Sequence, residues 1–138
     1  QCALGISQLK QLDNFIRIRR KIASIYLKEL KNDERFILPK EKKNCYHSFN
    51  FFQLQINFDK LKINKKELFK RFKKRGINLQ VHYIPIHLQP FYKKKFGYKV
   101  NQFPNAEKFY KKEVSLPIYP DLKNNDLYKV INELLSIK

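Results

Sequence analysis

The sequence has 138 residues, of which 43% are hydrophobic and 14% aromatic, enough for one domain with a substantial buried core. No stretch approaches the roughly 20 apolar residues that span a bilayer, and the N-terminus lacks the basic flank and small-residue cleavage site of a signal peptide. The composition therefore argues against a membrane-spanning helix and predicts a globular, cytoplasmic protein.

The formal net charge of +18 raises the question of nucleic-acid binding. Lysine supplies most of this charge and is spread over every segment, whereas arginine, the better reader of phosphates and bases, is scarce. We therefore interpret most of the charge as solvated surface. Attraction of an anionic substrate and binding of nucleic acid are the alternatives.

Two features predict that the chain is a fragment of a longer protein. It contains no methionine, and its first residues have the pattern of a helix interior without a capping Ser, Thr, Asp or Asn. Cys2 and Cys45 form no CxxC pair and stand at no metal-ligand spacing. We expect them to be free, buried thiols in a reducing compartment.

Apolar residues recur every three or four positions over residues 3–31, which predicts one long amphipathic helix. At about 1.5 Å per residue this helix would exceed about 40 Å, more than a compact domain of this size needs. We interpret it as a connector to a part of the protein outside this chain.

The next elements follow from local signals. Residues 32–44 are charged and contain Pro39, which predicts an exposed loop, and the alternation over residues 48–58 predicts a strand. Asn64 with Glu67 three positions later predicts a capping box that begins a short helix, which ends before Gly76.

Residues 77–84 have the pattern of a second strand, at a sheet edge because Pro85 follows. Further elements are predicted in this order: a short helix ending at Gly97, a helix from Pro104 to about Glu113, a brief strand over residues 116–120, and a helix capped by Asn124 or Asn125. The order predicts an α+β fold, in which a long connector helix precedes a small, largely antiparallel sheet with helices on one side.

Motifs for catalysis are missing from the sequence. It contains no GxGxxG, GxxxxGK[ST], HExxH or GxSxG, and three glycines are too few for a phosphate-cradling loop. The acidic residues are scattered, with no pair placed for general acid and base chemistry. The chain alone is therefore predicted to be a poor enzyme.

Polar and aromatic residues concentrate at the end of the second predicted strand. Residues 80–92 read QVHYIPIHLQPFY and hold two histidines, two tyrosines and two glutamines. Such side chains offer the neutral donors and acceptors that bind sugar hydroxyls and amides. From the residues alone, substrate contact and a purely structural role are both open. His47, Ser48 and Asn50 form a weaker cluster that we interpret as the entry to a strand.

Six segments in the same order resemble the DegT/DnrJ/StrS family of sugar aminotransferases. They are residues 2–13, 47–52, 75–77, 81–92, 103–107 and 115–120. No single segment is decisive, but the ordered set is specific and spans almost the whole chain. Asn50 departs from the family pattern, which often has histidine there, so no role of that ring is carried over to this chain.

This resemblance implies a fold-type-I enzyme, dependent on pyridoxal phosphate and usually a homodimer, that moves an amino group from L-glutamate to a keto sugar on a nucleotide. The family's large domain supplies the Schiff-base lysine, which is implied to lie outside this chain. No catalytic residue is therefore assigned here, and the isolated chain is expected to be inactive. Residues 1–31 would be the connector helix from that missing domain, and residues 32–138 the C-terminal small domain.

Within the family, the form of residues 80–92 most resembles the transaminases that make UDP-4-amino-4,6-dideoxy-N-acetyl-altrosamine, a precursor of pseudaminic acid in surface-glycan biosynthesis. His82, Tyr83, His87 and Gln89 are accordingly expected to touch the nucleotide sugar or to shape its pocket. No metal site is expected.

Two alternatives belong to other classes: a freestanding basic nucleic-acid-binding or interaction domain, and a noncatalytic remnant of an aminotransferase. A nucleic-acid module should interleave aromatic and arginine side chains on one exposed face. Here the aromatic residues follow core periodicity, which disfavours that alternative.

Overall fold

The computed structural model describes all residues, 1–138, as an α+β fold. The helices are α1 (Cys2–Leu9), α2 (Leu12–Leu30), α3 (Lys65–Lys74), α4 (Pro90–Phe96), α5 (Pro104–Lys112) and α6 (Asn124–Leu135). The strands are β1 (Phe36–Ile37), β2 (Phe52–Ile56) and β3 (Glu113–Leu116), and short 3-10 turns occur at Phe58–Lys60 and Ile86–Leu88. No helix combines the length and apolar character that crossing a membrane requires.

The long helix predicted over residues 3–31 is interrupted, so the prediction of one continuous helix was wrong. Lys10 and Gln11 form a turn between α1 and α2, in which the Gln11 N–H donates to the Gln8 carbonyl at 3.0 Å. α1 has no buried residue, so no packing holds it in line with α2. The proposed connector role of this segment stays a prediction.

The three strands form one antiparallel sheet in the order β1-β2-β3, which confirms the predicted small antiparallel sheet. The register places Gln53 opposite Ser115 and Phe36 opposite Ile56. β1 lies in the segment predicted as a loop. β3 begins three residues before the predicted strand and ends before Pro117, which has no N–H for a ladder.

The strand predicted over residues 77–84 is reduced to a single bridge. Gln80 and Ser115 exchange backbone hydrogen bonds of 3.2 and 2.8 Å, and no further ladder forms. The chain leaves the sheet because the His82 N–H donates to the side chain of Glu113, at 3.1 Å, instead of to a strand carbonyl.

One face of the sheet packs into the hydrophobic core. Phe52, Leu54 and Ile56 of β2 are fully buried and pack with residues of α2, α3 and α6. Tyr26 of α2 packs against Phe52 with the rings tilted and their centroids 4.8 Å apart, and its hydroxyl donates to the Pro117 carbonyl at 3.0 Å. Burial raises the pKa of this tyrosine above its ordinary value.

Local signals were accurate for α3. The Asn64 side chain accepts from the Glu67 N–H at 3.0 Å, the Glu67 carboxylate accepts from the Asn64 N–H at 2.8 Å, and Gly76 follows the helix with a φ of 72°. The capping box is thereby confirmed.

Two smaller predictions were wrong. Lys123, not Asn124 or Asn125, occupies the cap position of α6, with no side-chain cap. Cys2 and Cys45 are free as expected, but both are exposed. The terminal helix and the loop before β2 leave them uncovered.

Candidate functional site

The second face of the sheet is polar. Because side chains alternate across a strand, Gln53 and Gln55 of β2 lie opposite to the core residues, and Glu113 and Ser115 of β3 lie beside them. Glu113 and Ser115 are nevertheless buried, since the segment around His82 covers them. Gln53 fastens this segment by donating from Nε2 to the His82 carbonyl at 3.1 Å.

A groove of about 320 Å³ opens beside this polar face, and we call it the polar groove. Its side chains come from the entry to β2, the bridge at Gln80, β3 and the turn after β3. They are Asn50, Phe51, Asn78, Gln80, His82, Ser115, Leu116, Pro117, Ile118 and Tyr119. Its polar side chains are amides, hydroxyls and one imidazole, and no lysine, arginine or carboxylate lines it.

His82, Ser115 and Glu113 form a continuous hydrogen-bonded chain. The His82 Nδ1 lies 2.8 Å from the Ser115 Oγ, and that hydroxyl donates to the Glu113 Oε1 at 2.5 Å. The order differs from a nucleophilic triad, in which a histidine lies between the serine and the acid. The Ser115 hydroxyl donates its hydrogen bond to the carboxylate and is buried, so the arrangement supports hydrogen bonding and not nucleophilic attack.

An aromatic wall stands at one side of the polar groove. The rings of Phe51 and His82 stack with centroids 4.0 Å apart, and Tyr83 contacts His82 edge-on at 4.6 Å. The Tyr83 side chain is 69% exposed, and the His82–Tyr83 peptide bond is cis. His82 lines the polar groove as a hydrogen-bonding ring, and Tyr83 lies against it just outside the lining, as an exposed apolar surface with a polar tip.

His87 lies away from the polar groove in a second cluster. Its ring is buried, and Nε2 lies 3.0 Å from the Glu107 Oε1, which also accepts from the Asn101 N–H at 2.7 Å. The hydrogen bond from His87 holds the pKa of Glu107 below its ordinary value, against the opposing effect of burial. Residues 81–112 form an excursion from the sheet between Gln80 and β3, and this pair ties α5 to the turn at Ile86–Leu88 within it. Phe103 packs on the His87 ring at 4.8 Å.

Gln89 is half-buried at the start of α4, and its side chain makes no hydrogen bond to the protein. It does not line the polar groove. The structure thus brings His82 and Tyr83 together and places His87 and Gln89 further along the excursion. The substrate-binding role of all four residues stays a prediction.

The cluster of His47, Ser48 and Asn50 lies only partly at the polar groove. His47 accepts at Nδ1 from the Phe49 N–H at 2.8 Å, as expected for a strand entry, whereas Asn50 lines the polar groove. Arg20 of α2 fixes this entry by donating to Glu41 and to the His47 carbonyl at 2.8 Å. The hydrogen bond from Arg20 lowers the pKa of Glu41 to about 2.

Sequence reasoning did not assign Glu113, Ser115, Asn78 or Tyr119 to the site. Ser115 and Tyr119 belong to one of the family-like segments, which was the available signal. Lys65 is half-buried near Glu113 and donates to the Tyr110 carbonyl at 2.7 Å. Burial lowers the pKa of Lys65, and attraction to Glu113 offsets part of that effect.

Comparisons with known proteins identify the family of the chain. The model of the DegT/DnrJ/EryC1/StrS aminotransferase family matches residues 1–135. The chain is 38% identical over 136 residues to the UDP-4-amino-4,6-dideoxy-N-acetyl-beta-L-altrosamine transaminase of Campylobacter jejuni, covering 99% of this chain and 35% of that protein.

It is also 36% identical over 138 residues to the spore coat polysaccharide biosynthesis protein SpsC of Bacillus subtilis, covering 99% of this chain and 36% of that protein. Among solved structures, Helicobacter pylori PseC, an aminotransferase involved in the biosynthesis of pseudoaminic acid, superposes with a TM-score of 0.85 at 28% identity. That match covers 96% of this chain and 35% of PseC. The chain therefore spans about a third of the length of these proteins.

Proposed function

The chain belongs to the DegT/DnrJ/EryC1/StrS aminotransferase family, and on that premise we propose that it is the sugar-binding small domain of a nucleotide-sugar aminotransferase. The single observation that carries this proposal is the polar groove, whose polar side chains are uncharged and converge beside an aromatic wall. Residues 32–138 would form the small domain, and residues 1–31 would connect it to a large domain.

Neutral side chains of this kind suit a sugar. Each sugar hydroxyl is both a donor and an acceptor, and amide, hydroxyl and imidazole groups complement it without the desolvation cost of a charge. His82 and Tyr83 would contact the substrate directly. His87 would shape the pocket from behind through Glu107, and Gln89 would act from the start of α4.

For the whole enzyme we propose L-glutamate as the amino donor and a nucleotide-linked 4-keto-6-deoxy sugar as the acceptor, in the biosynthesis of pseudaminic acid or a related surface glycan. The Campylobacter relative supports the sugar, and the Bacillus relative supports the glycan pathway in general. We place the enzyme in the cytoplasm as a homodimer.

The residues of this chain do not fit the cofactor by themselves. No lysine lines the polar groove to hold pyridoxal phosphate, and no glycine-rich loop offers bare amides to its phosphate. When bound, pyridoxal phosphate supplies the electron sink for amino transfer. We propose that the large domain holds it, while this chain orients the sugar and excludes water from one side.

A labelling experiment tests the division of labour. The isolated chain should give no single stoichiometric lysine adduct when it is mixed with pyridoxal phosphate, reduced with borohydride and mapped by peptide. Diffuse labelling of surface lysines is expected. One fully labelled lysine together with transaminase turnover would contradict the proposal.

The sugar role is tested in the full-length protein that contains this chain, with the two half reactions measured separately. Replacing His82 by alanine should remove a substrate hydrogen bond at a cost of about 1–3 kcal/mol. That cost corresponds to a loss of roughly 5- to 150-fold in kcat/KM for the sugar. The half reaction with glutamate should be nearly unchanged.

Tyr83→Ala should also weaken the sugar half reaction selectively. Tyr128 is the matched control, because it is an exposed tyrosine on α6 that neither lines the polar groove nor, unlike Tyr83, contacts the His82 ring. Tyr128→Ala should affect neither half reaction. Equal damage to both half reactions by His82→Ala would show that the groove is scaffold and not site.

A further inference from the structure

The hydrogen bonds that link Glu113, Ser115 and His82 determine which ring nitrogen of His82 carries a proton. The Glu113 carboxylate accepts at both oxygens, from the Ser115 hydroxyl at Oε1 and from the His82 backbone N–H at Oε2. Each oxygen of Glu113 is thus the acceptor in its contact, and neither donates to the Ser115 hydroxyl.

Ser115 has a single hydroxyl proton, and it lies in the hydrogen bond to Glu113, in which the Oγ–Oε1 distance is 2.5 Å. The Ser115 Oγ can then meet the His82 Nδ1, 2.8 Å away, only as an acceptor. Two acceptors at this distance would repel each other, so Nδ1 must carry the ring proton. The hydrogen bond of one ring nitrogen sets the state of the other.

We infer that Ser115 and Glu113 are positioning residues that hold neutral His82 as its Nδ1–H tautomer, with the lone pair of Nε2 presented to the polar groove. Nε2 makes no hydrogen bond within the protein, and His82 lines the polar groove. His82 is thereby an acceptor for one N–H or O–H group of the ligand. This inference rests on the proposed function for the identity of that ligand, a sugar hydroxyl or acylamino N–H.

The Phe51 ring and the Gln53 amide complete the positioning. Phe51 stacks on one face of the imidazole, and Gln53 holds the backbone of His82. The ring consequently has one orientation and one tautomer before the ligand arrives. Binding then requires little reorganisation of this contact.

The tautomer can be measured in the 138-residue chain without cofactor or sugar. Histidine ring nitrogens are distinguished by ¹⁵N NMR, where a protonated nitrogen and one with a free lone pair have well-separated shifts. The spectra are recorded at mildly alkaline pH, where free imidazole is neutral. The chain has only three histidines, so the signals lost in His82→Gln assign this ring.

In the unmodified chain we expect a protonated Nδ1 and a free Nε2 lone pair. Glu113→Gln should invert this pattern. Its carbonyl would keep the hydrogen bond from the His82 N–H, and its NH₂ would donate to the Ser115 Oγ. The serine proton would then turn to Nδ1, which leaves the ring proton on Nε2. Ser115→Ala should remove the preference for Nδ1–H.

An Nε2–H tautomer in the unmodified chain overturns the inference, and so does an unchanged Nδ1–H tautomer in both variants. The ¹H–¹⁵N spectrum shows whether each variant is folded, and Ser115→Ala decides the question if Glu113→Gln is not. The result is independent of sugar binding. A confirmed tautomer with no effect of His82→Ala on the sugar half reaction would therefore refute the proposed function alone.

Discussion

The two faces of the small sheet are built from the same strands but with opposite chemistry. On one face Phe52, Leu54 and Ile56 are fully buried in a continuous apolar core. On the other face Gln53 and Ser115 belong to a hydrogen-bonded network under the polar groove. Alternate residues of one strand therefore build an apolar core and a polar surface separately, because they point to different surroundings.

This separation has an energetic basis. Burial of apolar surface is the dominant favourable contribution to folding, whereas an internal hydrogen bond adds little net stability because it replaces one to water. The polar face should therefore tolerate substitutions that the core face does not. Four predictions test or sharpen that contrast.

The largest effect is expected at two neighbouring phenylalanines. Phe52→Ala removes a fully buried ring and should lower the free energy of unfolding by about 3–5 kcal/mol. Phe51→Ala, beside it but facing the polar groove, removes mainly the stacking on His82 and should cost about 0.5–1.5 kcal/mol. Urea denaturation measures both, and equal losses would break the contrast between the faces.

Lowering the pH should destabilise the excursion between Gln80 and β3. The pKa of Glu107 is lowered, so its stabilising contribution is complete above pH 4.5, the ordinary value, and is lost as the pH falls through the lowered pKa. We expect the protection factor of the Asn101 amide, which donates to Glu107, to fall in that range. Glu107→Gln is the matched control, because its amide oxygen still accepts but does not titrate. Parallel behaviour of the two proteins would contradict the assignment.

A smaller effect is expected at the start of α3. Asn64→Ala removes the side-chain acceptor for the Glu67 N–H, while the backbone N–H of residue 64 can still donate to the Glu67 carboxylate. This loss of the cap should lower the free energy of unfolding by about 1 kcal/mol. Asn124→Ala is the control, since this asparagine begins α6 without capping it, and it should change stability by less than about 0.5 kcal/mol. A larger loss of stability in Asn124→Ala would indicate that Asn124 caps α6, as predicted from the sequence.

The smallest change in stability is expected at the exposed pair of Arg20 and Glu41. Arg20→Gln should raise the pKa of Glu41 from about 2 part of the way towards 4.5, because the bond from the His47 N–H persists. A carboxyl ¹³C NMR titration measures this shift, and the melting temperature should change little. Arg17→Gln is the control, because Arg17 bonds to Asn14 and not to an acid.

The sequence was most informative where structure is determined locally. The capping box at Asn64 and Glu67, the helix ending at Gly97 and the helix beginning at Pro104 all follow from neighbouring residues, and each is present. The alternation around Phe52 likewise located β2, although the strand is shorter than predicted. These signals depend on capping and side-chain period, which a sequence displays directly.

The site was less predictable because distant residues create it. The Glu113 side chain ends the ladder near His82, and no pattern within residues 77–84 indicates that this side chain will be there. His87 was grouped with His82 by proximity in sequence, yet Glu107 draws it into a separate cluster. Phe91 and Phe96 are exposed although the aromatic residues were expected to be core, because α4 buries none of its residues.

The pairing of β2 with β3 also determines when the polar groove can exist. His82 and Ser115 are separated by 33 positions, and Tyr26 and the Pro117 carbonyl by 91. Closing such long loops is entropically costly, so these contacts should form late in folding. During synthesis, α2, β2 and the His82 segment leave the ribosome before β3. The nascent chain consequently has no complete polar groove until Ser115 has docked, and any ligand that stabilises the groove would bind only the finished fold.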